Sequence, residues 1–461
     1  MMPGSRHGAV SRGNFRIGVA EKISYALGDT ATNLVWRTLM VFLPIFYTDV
    51  FGLSAAAVGV LLLVCRYLDG ITDLGMGLIA DRTNTRWGKF RPWILWSALP
   101  FGAMTILTFT TFDLTPGAKL VYAYATYTGL ILAFTASNVP YSALTGVLTP
   151  DPSERTSISS YRFFFAFLGG LITQGLNIPL VAYFGQGNEI RGYSSTMTLF
   201  AGVSVFLFLI TFLGTRERVK PAAEAQTPMR KDMKDLLTNV PWIVLFVTGL
   251  LFVTFTTFKQ GVTMYYFKYY MQDVPLAAAF MIAGLVAAMI GTTLTPVLTR
   301  LLGKRRLMTA SFALAAVTSA LLYLPGPGDL AAVFILSSIT ELSTGPIVAL
   351  FFAMLADASD YSEWKNGRRA TGLFFSAGTL SFKFGTGMAG ALTGWILALA
   401  GYVANTEQTP EALEGIRLLI SVFPAAAALL SVLVFRFYTL DGRLLERIER
   451  DLTTRRGELL T

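Results

Sequence analysis

Long apolar runs recur along the chain, with short polar segments between them. Twelve of these runs are close to the length of about 20 residues that an α-helix needs to cross a bilayer. This pattern predicts an all-α membrane protein with twelve transmembrane helices. The predicted helices cover residues 23–47, 56–80, 92–112, 119–142, 158–184, 196–214, 241–270, 274–300, 306–324, 329–355, 370–401 and 415–437.

The composition supports a membrane protein and argues against a soluble enzyme. The chain of 461 residues is 53% hydrophobic and 14% charged, whereas a soluble domain carries about 25% charged residues. One Cys and one His cannot supply a disulfide, a catalytic triad or a His-rich metal site. The first apolar run contains Asp29 and is too long for a signal peptide, so we expect a retained span. We expect neither catalysis nor a bound cofactor.

Basic residues lie mainly on alternate connections between the predicted helices. Four Lys or Arg fall within residues 1–22, four in the connection after the second helix, and six in residues 215–240, whereas the intervening connections carry few. The positive-inside rule therefore predicts that both termini are cytoplasmic. The net charge of +9 follows from this topology, so we expect contact with a lipid bilayer and no nucleic-acid partner.

The longest predicted connection divides the chain into two sets of six helices. The halves share a spacing: Pro140 precedes Asp151 by 11 residues, and Pro346 precedes Asp357 by the same 11. This repetition favours a duplicated transporter fold with substrate bound near the midplane. The predicted divisions are an N-terminal tail 1–22, a first half 23–214, a central loop 215–240, a second half 241–437 and a C-terminal tail 438–461.

Several ionisable residues fall inside the predicted spans. Each would cost roughly 2.5–3.5 kcal/mol at the centre of a lipid-facing helix, so we expect them to face a polar cavity or one another. Arg37, Lys259 and Glu341 receive no role beyond charge balance. The complete set is Asp29, Asp69, Asp73, Glu341, Arg37, Arg66, Arg162, Lys259 and Lys383.

Two carboxylates in the second predicted helix form a candidate coupling site. Arg66, Asp69 and Asp73 lie at positions i, i+3 and i+7, which places them on one helix face. Neighbouring carboxylates repel, and they can bind Na⁺ or carry a proton; Thr72 and Thr135 are candidate neutral oxygen donors. The alternative is a static salt bridge from either Asp to Arg66 or Lys383.

A second group of residues has the chemistry needed to bind a sugar. Arg162 and Lys383 are hydrogen-bond donors only. With Asp29 and Asn138 they could hold the hydroxyl groups of a sugar in a cavity. The alternative is that the two basic residues only neutralise the aspartates.

The motifs resemble those of the glycoside-pentoside-hexuronide:cation symporters, a family of the major facilitator fold whose best-known member is the melibiose:sodium symporter. The resemblance runs from about residue 20 to about residue 450. It is carried by Tyr25-Ala-Leu-Gly-Asp29, Arg66-Tyr-Leu-Asp69-Gly-Ile-Thr-Asp73, Arg86-Trp-Gly-Lys-Phe-Arg-Pro92, Asn138-Val-Pro-Tyr-Ser142, Asp357-Ala-Ser-Asp-Tyr-Ser-Glu-Trp-Lys-Asn-Gly-Arg-Arg369 and Lys383.

The resemblance implies cation-coupled symport of a sugar or glycoside by alternating access, in a monomer of the bacterial inner membrane. It places the cation site at Asp69 and Asp73, which would be the metal ligands if the ion is Na⁺, with Thr135 as a hydroxyl ligand. Thr72 stands where the sodium-using relative has Asn, so Na⁺ and H⁺ both remain candidates. The implied sugar-binding residues are Asp29, Asn138, Arg162, Thr379 and Lys383.

Alternating access also predicts ion pairs that act as gates. We expect cation binding to free Lys383 and Arg162 for the sugar, and the connections after predicted helices 2, 4, 8 and 10 to form latches. The alternatives from other classes are a lysolipid or other amphipathic-solute transporter, a drug:proton antiporter and a membrane sensor. The predicted gating residues are Arg66, Asp81, Arg82, Asp151, Arg155, Asp357, Asp360, Arg368 and Arg369.

Overall fold

A computed structural model describes residues 17–149, 151–218, 229–367 and 371–458. Helices form at all the predicted spans, and the β-structure in the described ranges is limited to a bridge between Thr85 and Gly88. The first-half elements are α1 (Val19–Val41), α2 (Leu43–Ile45), π1 (Phe46–Val50), α3 (Ala55–Arg82), α4 (Arg91–Thr108), α5 (Pro116–Leu148), α6 (Pro152–Gly185) and α7 (Glu189–Gly214). The later elements are α8 (Met229–Leu237), α9 (Val240–Tyr265), π2 (Tyr266–Tyr270), α10 (Val274–Leu302), α11 (Lys304–Leu321), α12 (Leu330–Asn366), α13 (Thr371–Leu399), α14 (Pro410–Ile420), α15 (Val422–Phe435) and α16 (Gly442–Glu458).

Part of the predicted membrane topology can be read from these helices. Because helices form at the predicted spans, the all-helical prediction is confirmed. The count of twelve spans stays a prediction, because four of the predicted spans, at α1, α4, α11 and α13, are not among the clearly apolar segments. Among the described residues, eight segments are long and apolar enough to cross a membrane: Ala55–Arg82, Pro116–Leu148, Ser157–Gly185, Glu189–Gly214, Val240–Tyr270, Val274–Leu302, Leu330–Asn366 and Pro410–Phe435.

Helix α12 continues well beyond the apolar run that predicted it. The expected end was residue 355, where the sequence becomes acidic, but the helix reaches Asn366. Apolar periodicity marks only the part of a helix that faces lipid or core, so a polar continuation is not visible to it. The end is set by Gly367, whose φ of 67° is left-handed and whose N–H donates to the Glu363 carbonyl at 2.8 Å. Helices α8 and α16 were missed because they are short and polar overall, so neither contains a long apolar run.

Each half ends its first long helix in a π-helical turn. In the first half π1 follows α2, and in the second half π2 follows α9 directly. The N–H of Phe51 donates to the Phe46 carbonyl at 2.8 Å, and the N–H of Met271 donates to the Tyr266 carbonyl at 2.9 Å. Single π-turns of this kind occur frequently at functional sites. Because they occupy equivalent places, these turns add to the evidence for duplication.

The two halves are in backbone contact where α3 crosses α13. A Cβ atom on Gly59 would lie 2.8 Å from the Ala391 carbonyl oxygen, and one on Gly394 would lie 2.3 Å from the Ala55 carbonyl oxygen. Such small residues allow two membrane helices to approach closely, as in other small-residue helix pairs. We call this contact the glycine seam.

We expect Gly59→Ala to lower the thermal stability of the purified protein, because the new methyl group overlaps a backbone atom that cannot move independently. Overpacking of this kind costs about 1–3 kcal/mol. The matched control is Gly77→Ala on the same helix, where an added Cβ has nothing within 4 Å. Equal melting temperatures for the two variants would contradict the close approach of α3 and α13.

Candidate functional site

One cluster joins α1, α5 and α6 through an ion pair. The Arg162 guanidinium contacts both oxygens of Asp29, with Nε 2.7 Å from Oδ2 and Nη2 3.2 Å from Oδ1. The Tyr141 hydroxyl donates to Asp29 Oδ2 at 2.8 Å, and the Arg162 guanidinium lies over the Tyr141 ring, 4.8 Å from its centroid. A bidentate pair of this kind fixes both side chains. The structure therefore brings the predicted residues Asp29 and Arg162 together.

Two tyrosine rings pack against this ion pair. Tyr25 stacks on Tyr141 with ring centroids 4.7 Å apart, and its hydroxyl donates to the Tyr141 carbonyl at 2.8 Å. Both rings are buried. Gly28 is required beside them, because a Cβ there would lie 2.4 Å from Tyr141 Cε2. The tyrosines hold Asp29 and Arg162 in place.

A second cluster forms around the two carboxylates of α3. Thr135 Oγ1 lies 2.9 Å from Oδ1 of Asp69 and 2.9 Å from Oδ1 of Asp73. A hydroxyl group has one proton to donate, so both contacts are hydrogen bonds only if one carboxyl group is protonated. When both carboxyl groups are ionised, the Thr135 oxygen lies beside one oxygen of each carboxylate, and oxygen atoms of these kinds are the ligands that hard cations prefer.

Lys383 crosses from the second half to complete this cluster. Its ammonium group contacts Asp73 Oδ2, lies 3.0 Å from Asp69 Oδ2, and donates to the Asp69 carbonyl at 3.2 Å. Arg66 Nη1 is 4.0 Å from Asp69 Oδ2, and its guanidinium stacks on Trp36 at 4.2 Å. Two acids and two bases make the cluster neutral when all four are ionised. Among the described residues, no group of three or more His, Cys, Asp or Glu side chains is arranged to hold a metal.

Helix α5 connects the two clusters. Thr135 belongs to the carboxylate cluster, and Thr145 accepts a hydrogen bond from Arg162 Nη1 at 3.3 Å in the other. The two residues are ten positions apart, which corresponds to about 15 Å along the helix. Asn138, half-buried, lies between them on the same helix. The predicted sugar and cation residues are therefore neighbours on one element.

Two predicted ligands use their hydroxyl groups elsewhere. The Thr72 hydroxyl donates to the backbone carbonyl of Asp69 at 3.2 Å, and the exposed Thr379 hydroxyl donates to the Ser376 carbonyl at 2.9 Å. Hydroxyl side chains in helices commonly bond to their own backbone in this way. The oxygen donor that the structure brings to the carboxylates is Thr135.

The predicted gating residues form contacts within each half. Lys89 Nζ lies 3.5 Å from Asp81, and Lys304 Nζ lies 2.7 Å from Asp357. Arg155 donates to the Thr149 carbonyl at 2.9 Å. Arg66 belongs to the carboxylate cluster instead. Arg82 is exposed, Asp151 and Asp360 both take part in interactions, and Arg368 and Arg369 lie outside the described residues.

Two other interactions near these connections were not predicted from the sequence. Glu217 accepts hydrogen bonds from the N–H groups of Phe90 and Arg91 at 2.7 and 2.9 Å, and so caps α4. Lys22 lies 2.9 Å from Glu154, and this contact holds the pKa of the Glu154 carboxyl below its ordinary value. Both acids are distant in sequence from their partners, so spacing carried no signal for them.

A cluster at the far end of the spans was also missed. Asp49 in π1 is buried, and the Lys268 ammonium in π2 lies 2.7 Å from it. The hydroxyls of Tyr269 and Tyr402 also donate to Asp49, and the Thr48 hydroxyl lies 2.9 Å from that of Tyr265. We call these residues the Asp49 lock. The sequence did contain a signal for this cluster: an acidic residue lies in the terminal turn of one helix, and a basic residue lies in the equivalent turn of the other half.

The last intramembrane pair lies in the second half. Lys259 Nζ is 2.8 Å from Glu341 Oε1, and Lys259 is buried. The expectation of charge balance is therefore met for this pair. Arg37, the third residue without an assigned role, interacts electrostatically with Glu341.

Comparisons with known proteins identify the family of this chain. Residues 24–442 match the family described as MFS/sugar transport protein. YagG of Escherichia coli (strain K12), whose name proposes a glycoside/cation symporter, is 38% identical over 441 residues, which is 95% of each chain. The isoprimeverose transporter of Lactiplantibacillus pentosus is 38% identical over 426 residues, covering 92% of this chain and 89% of that protein.

Solved structures show the same fold at lower identity. A bacterial homologue of the human lysosomal transporter Spinster superposes with a TM-score of 0.66 at 15% identity, covering 93% of this chain and 97% of the other. Together with the helical bundle, these matches identify a multi-pass membrane transporter and not an enzyme. The chain belongs to the glycoside-pentoside-hexuronide:cation symporter family of the major facilitator superfamily.

Proposed function

We propose that this protein imports a sugar or glycoside together with Na⁺ or H⁺ by alternating access. The observation that carries the proposal is the placement of Lys383, a residue of the second half, between Asp69 and Asp73 of the first half. The names of two relatives, one proposed to be a glycoside/cation symporter and the other an isoprimeverose transporter, support the same substrates. These names do not favour the alternative of a lysolipid or other amphipathic solute.

The coupling ion competes with Lys383 for the two carboxylates. The cluster is neutral with the ammonium in place, so an additional cation would leave a net positive charge buried at high cost. Binding of Na⁺, or protonation of a carboxyl, displaces Lys383 and keeps the cluster neutral. The displaced ammonium then becomes a hydrogen-bond donor for the sugar. Thr135 supports either ion, because its oxygen can coordinate Na⁺ or donate to the carboxylate that remains.

The sugar binds beside the ion pair of Asp29 and Arg162. These groups supply charged acceptors and donors on one side, and Asn138 supplies an amide that both donates and accepts. Thr135 and Thr145, one in each cluster, are about 15 Å apart along α5, and in this proposal a bound glycoside extends from the Asp29 cluster to the displaced Lys383. Cation and sugar thereby stabilise the same closed state, and each tightens the binding of the other by the same factor.

Alternating access moves the halves 23–214 and 241–437 against each other. In this proposal twelve helices span the inner membrane, and residues 1–22, 215–240 and 438–461 lie in the cytoplasm. The protein functions as a monomer surrounded by lipid, because each half contributes to the sites within one chain. The Asp49 lock then lies on the periplasmic side and holds that side closed, while the ion pairs of the cytoplasmic connections stay within each half.

Asp73→Asn should abolish cation-driven accumulation of sugar, because an amide cannot bind Na⁺ as a carboxylate does and cannot carry the proton. Uptake of a transported glycoside into vesicles under an imposed cation gradient measures this. Asp113→Asn, a change of the same kind at an exposed loop position, should leave accumulation unchanged. Gradient-dependent accumulation that survives in Asp73→Asn would reject the coupling role.

Lys383→Gln should bind the coupling cation more tightly while losing sugar binding. Removing the competing ammonium leaves two carboxylates without that partner, and at least a tenfold gain in affinity, about 1.4 kcal/mol, is expected. Thermal shifts of purified protein titrated with NaCl against choline chloride, at two pH values, report this affinity. A cation affinity equal to that of the unaltered protein would indicate a static salt bridge.

Asp49→Asn should open the periplasmic side, because Lys268 loses its buried carboxylate partner across the two halves, and the carboxylate that remains near it, Glu189, is exposed and 4.0 Å away. Spin labels at Asp113→Cys and Glu407→Cys, both exposed at this end, measure the separation of the halves. Cys65 is buried, so it does not take up label. We expect a longer distance in Asp49→Asn and no change with Glu411→Gln, an exposed acid on α14. Identical distance distributions for both variants would contradict the lock.

A further inference from the structure

A cavity between the two halves lies beside the Asp49 lock. Its volume is about 300 Å³, at the lower end of the range for small-molecule sites. The first half contributes α2, π1, α6, α7 and the turn between α6 and α7, and the second half contributes α9, π2 and α10. We call this cavity the Glu189 pocket. The polar residues in its walls are Asp49, Asn188, Glu189, Tyr193 and Lys268.

The wall from the first half is fixed where α6 and α7 meet. A Cβ atom on Gly192 would lie 2.4 Å from the Val181 carbonyl oxygen, so the two helices approach closely here. Gly187, with a φ of 92°, lies in the turn between the helices, where its backbone conformation favours glycine. Glu189 and Tyr193 are four residues apart on α7 and therefore share a helix face. This part of the pocket is held in place by the backbone of the first half.

Tyr193 provides a buried polar group for which the protein supplies no hydrogen bond. Its side chain is buried, with 7% exposed, and no hydrogen bond of its hydroxyl occurs within the described part of the chain. The ring packs against Phe46, and the residue interacts electrostatically with Glu189 and Asp49. A buried hydroxyl without a partner is costly. This group therefore indicates a ligand in the pocket.

The charges of the pocket leave one carboxylate available. Asp49 and Lys268 neutralise each other at 2.7 Å, and Asp49 also accepts hydrogen bonds from Tyr269 and Tyr402. The Glu189 carboxylate lies 4.0 Å from the Lys268 ammonium, which is too far for a hydrogen bond. Two acids and one base leave one negative charge among the residues that line the pocket.

These groups select a positively charged ligand with N–H donors. A carboxylate only accepts hydrogen bonds, and a phenol hydroxyl can accept as well as donate. A primary ammonium group carries three donors on one charged atom, so it can donate to Glu189 and Tyr193 together. The rest of the wall suits an apolar body, because it is mainly aliphatic. Its aliphatic residues include Ile45, Val50, Ile178, Val181, Met264 and Val274.

We propose that the Glu189 pocket binds a primary ammonium ion with a small apolar body, and that the bound ion holds this end of the transporter closed. The ammonium donates to the Glu189 carboxylate and the Tyr193 hydroxyl. Met264, Lys268 and Val274 come from the second half, so the complete pocket forms only while the halves are together. A ligand that binds the closed arrangement better raises its population. The binding site stands on its own geometry, and its effect on transport rests on the proposed function.

Matched probes test the chemistry of this pocket. Cyclohexylammonium and cyclohexanol share a ring and differ in charge and donors, and cyclohexyltrimethylammonium keeps the charge without an N–H group. Binding to the purified full-length protein is measured by calorimetry at pH 7 and constant ionic strength. We expect cyclohexylammonium to bind at least about tenfold more tightly than either of the others.

Variants identify the groups responsible. Glu189→Gln should remove the preference for cyclohexylammonium over cyclohexanol, and Tyr193→Phe should weaken it. Glu411→Gln, the same substitution at an exposed position on α14, should keep the full preference. Because Tyr193→Phe retains the packed ring, it also serves if Glu189→Gln does not fold.

The ammonium has two sources, a free amine and the headgroup of phosphatidylethanolamine. Nanodiscs of phosphatidylglycerol mixed with either phosphatidylethanolamine or phosphatidylcholine distinguish them, because phosphatidylcholine has no N–H donor in its headgroup. Weaker binding of cyclohexylammonium in the phosphatidylethanolamine nanodiscs would show that this lipid competes for the pocket. Equal affinities in the two nanodiscs would assign the pocket to free amines.

Spin labels at Asp113→Cys and Glu407→Cys measure the effect on conformation. We expect cyclohexylammonium to increase the population with the short distance, and to slow cation-driven sugar uptake when it is added on the periplasmic side. Both effects should be lost in Glu189→Gln, with each uptake rate compared with that of the same variant without the amine. Amine binding that leaves the distances unchanged would contradict closure by the ligand.

The outcomes separate this inference from the proposed function. If cyclohexylammonium binds no more tightly than cyclohexanol, or if the preference survives in Glu189→Gln, the pocket assignment is wrong. Cation-driven accumulation of a glycoside in that case would leave the proposed symport in place. Amine binding that depends on Glu189, in a protein that does not couple sugar to a cation, would support the pocket and contradict the symport.

Discussion

The ammonium of Lys383 between Asp69 and Asp73 is the interaction on which the rest of this structure depends. It allows two carboxylates to lie one helical turn apart in a low-dielectric interior, and it is supplied by the opposite half of the molecule. The strength of an ion pair within one helix would not depend on the relative position of the halves. This one forms only when α3 and α13 are close, so charge neutrality and conformation are linked.

The same principle of neutralisation applies along the whole interface. Asp29 has Arg162, Asp49 has Lys268, and Glu341 has Lys259. Among the described residues, the ion pairs that join the two halves include those of Lys268 with Asp49 and Glu189 and those of the carboxylate cluster, and these two groups lie at different depths. Conformational change therefore has to exchange two sets of cross-half charge contacts, while the contacts within each half stay intact.

The sequence predicted the helices and most of the buried charges, because apolar run length and the cost of charge in lipid are local properties of the chain. It also placed Asp29 with Arg162 and Asp69 with Asp73. It did not reveal that the Thr72 hydroxyl bonds to the backbone while Thr135 reaches both carboxylates, because this depends on the packing of α3 against α5. The Asp49 lock was missed since its partners are more than 200 residues apart and lie at span ends, where charge is expected anyway.

The glycine seam has a consequence for motion. Where two helices meet through side chains, interlocking groups must separate before one helix can turn on the other. Gly59 and Gly394 have no side chains that could interlock. Helix α13 can therefore roll over α3 at this contact with little repacking. This close backbone contact between the halves is thus also suited to be their pivot.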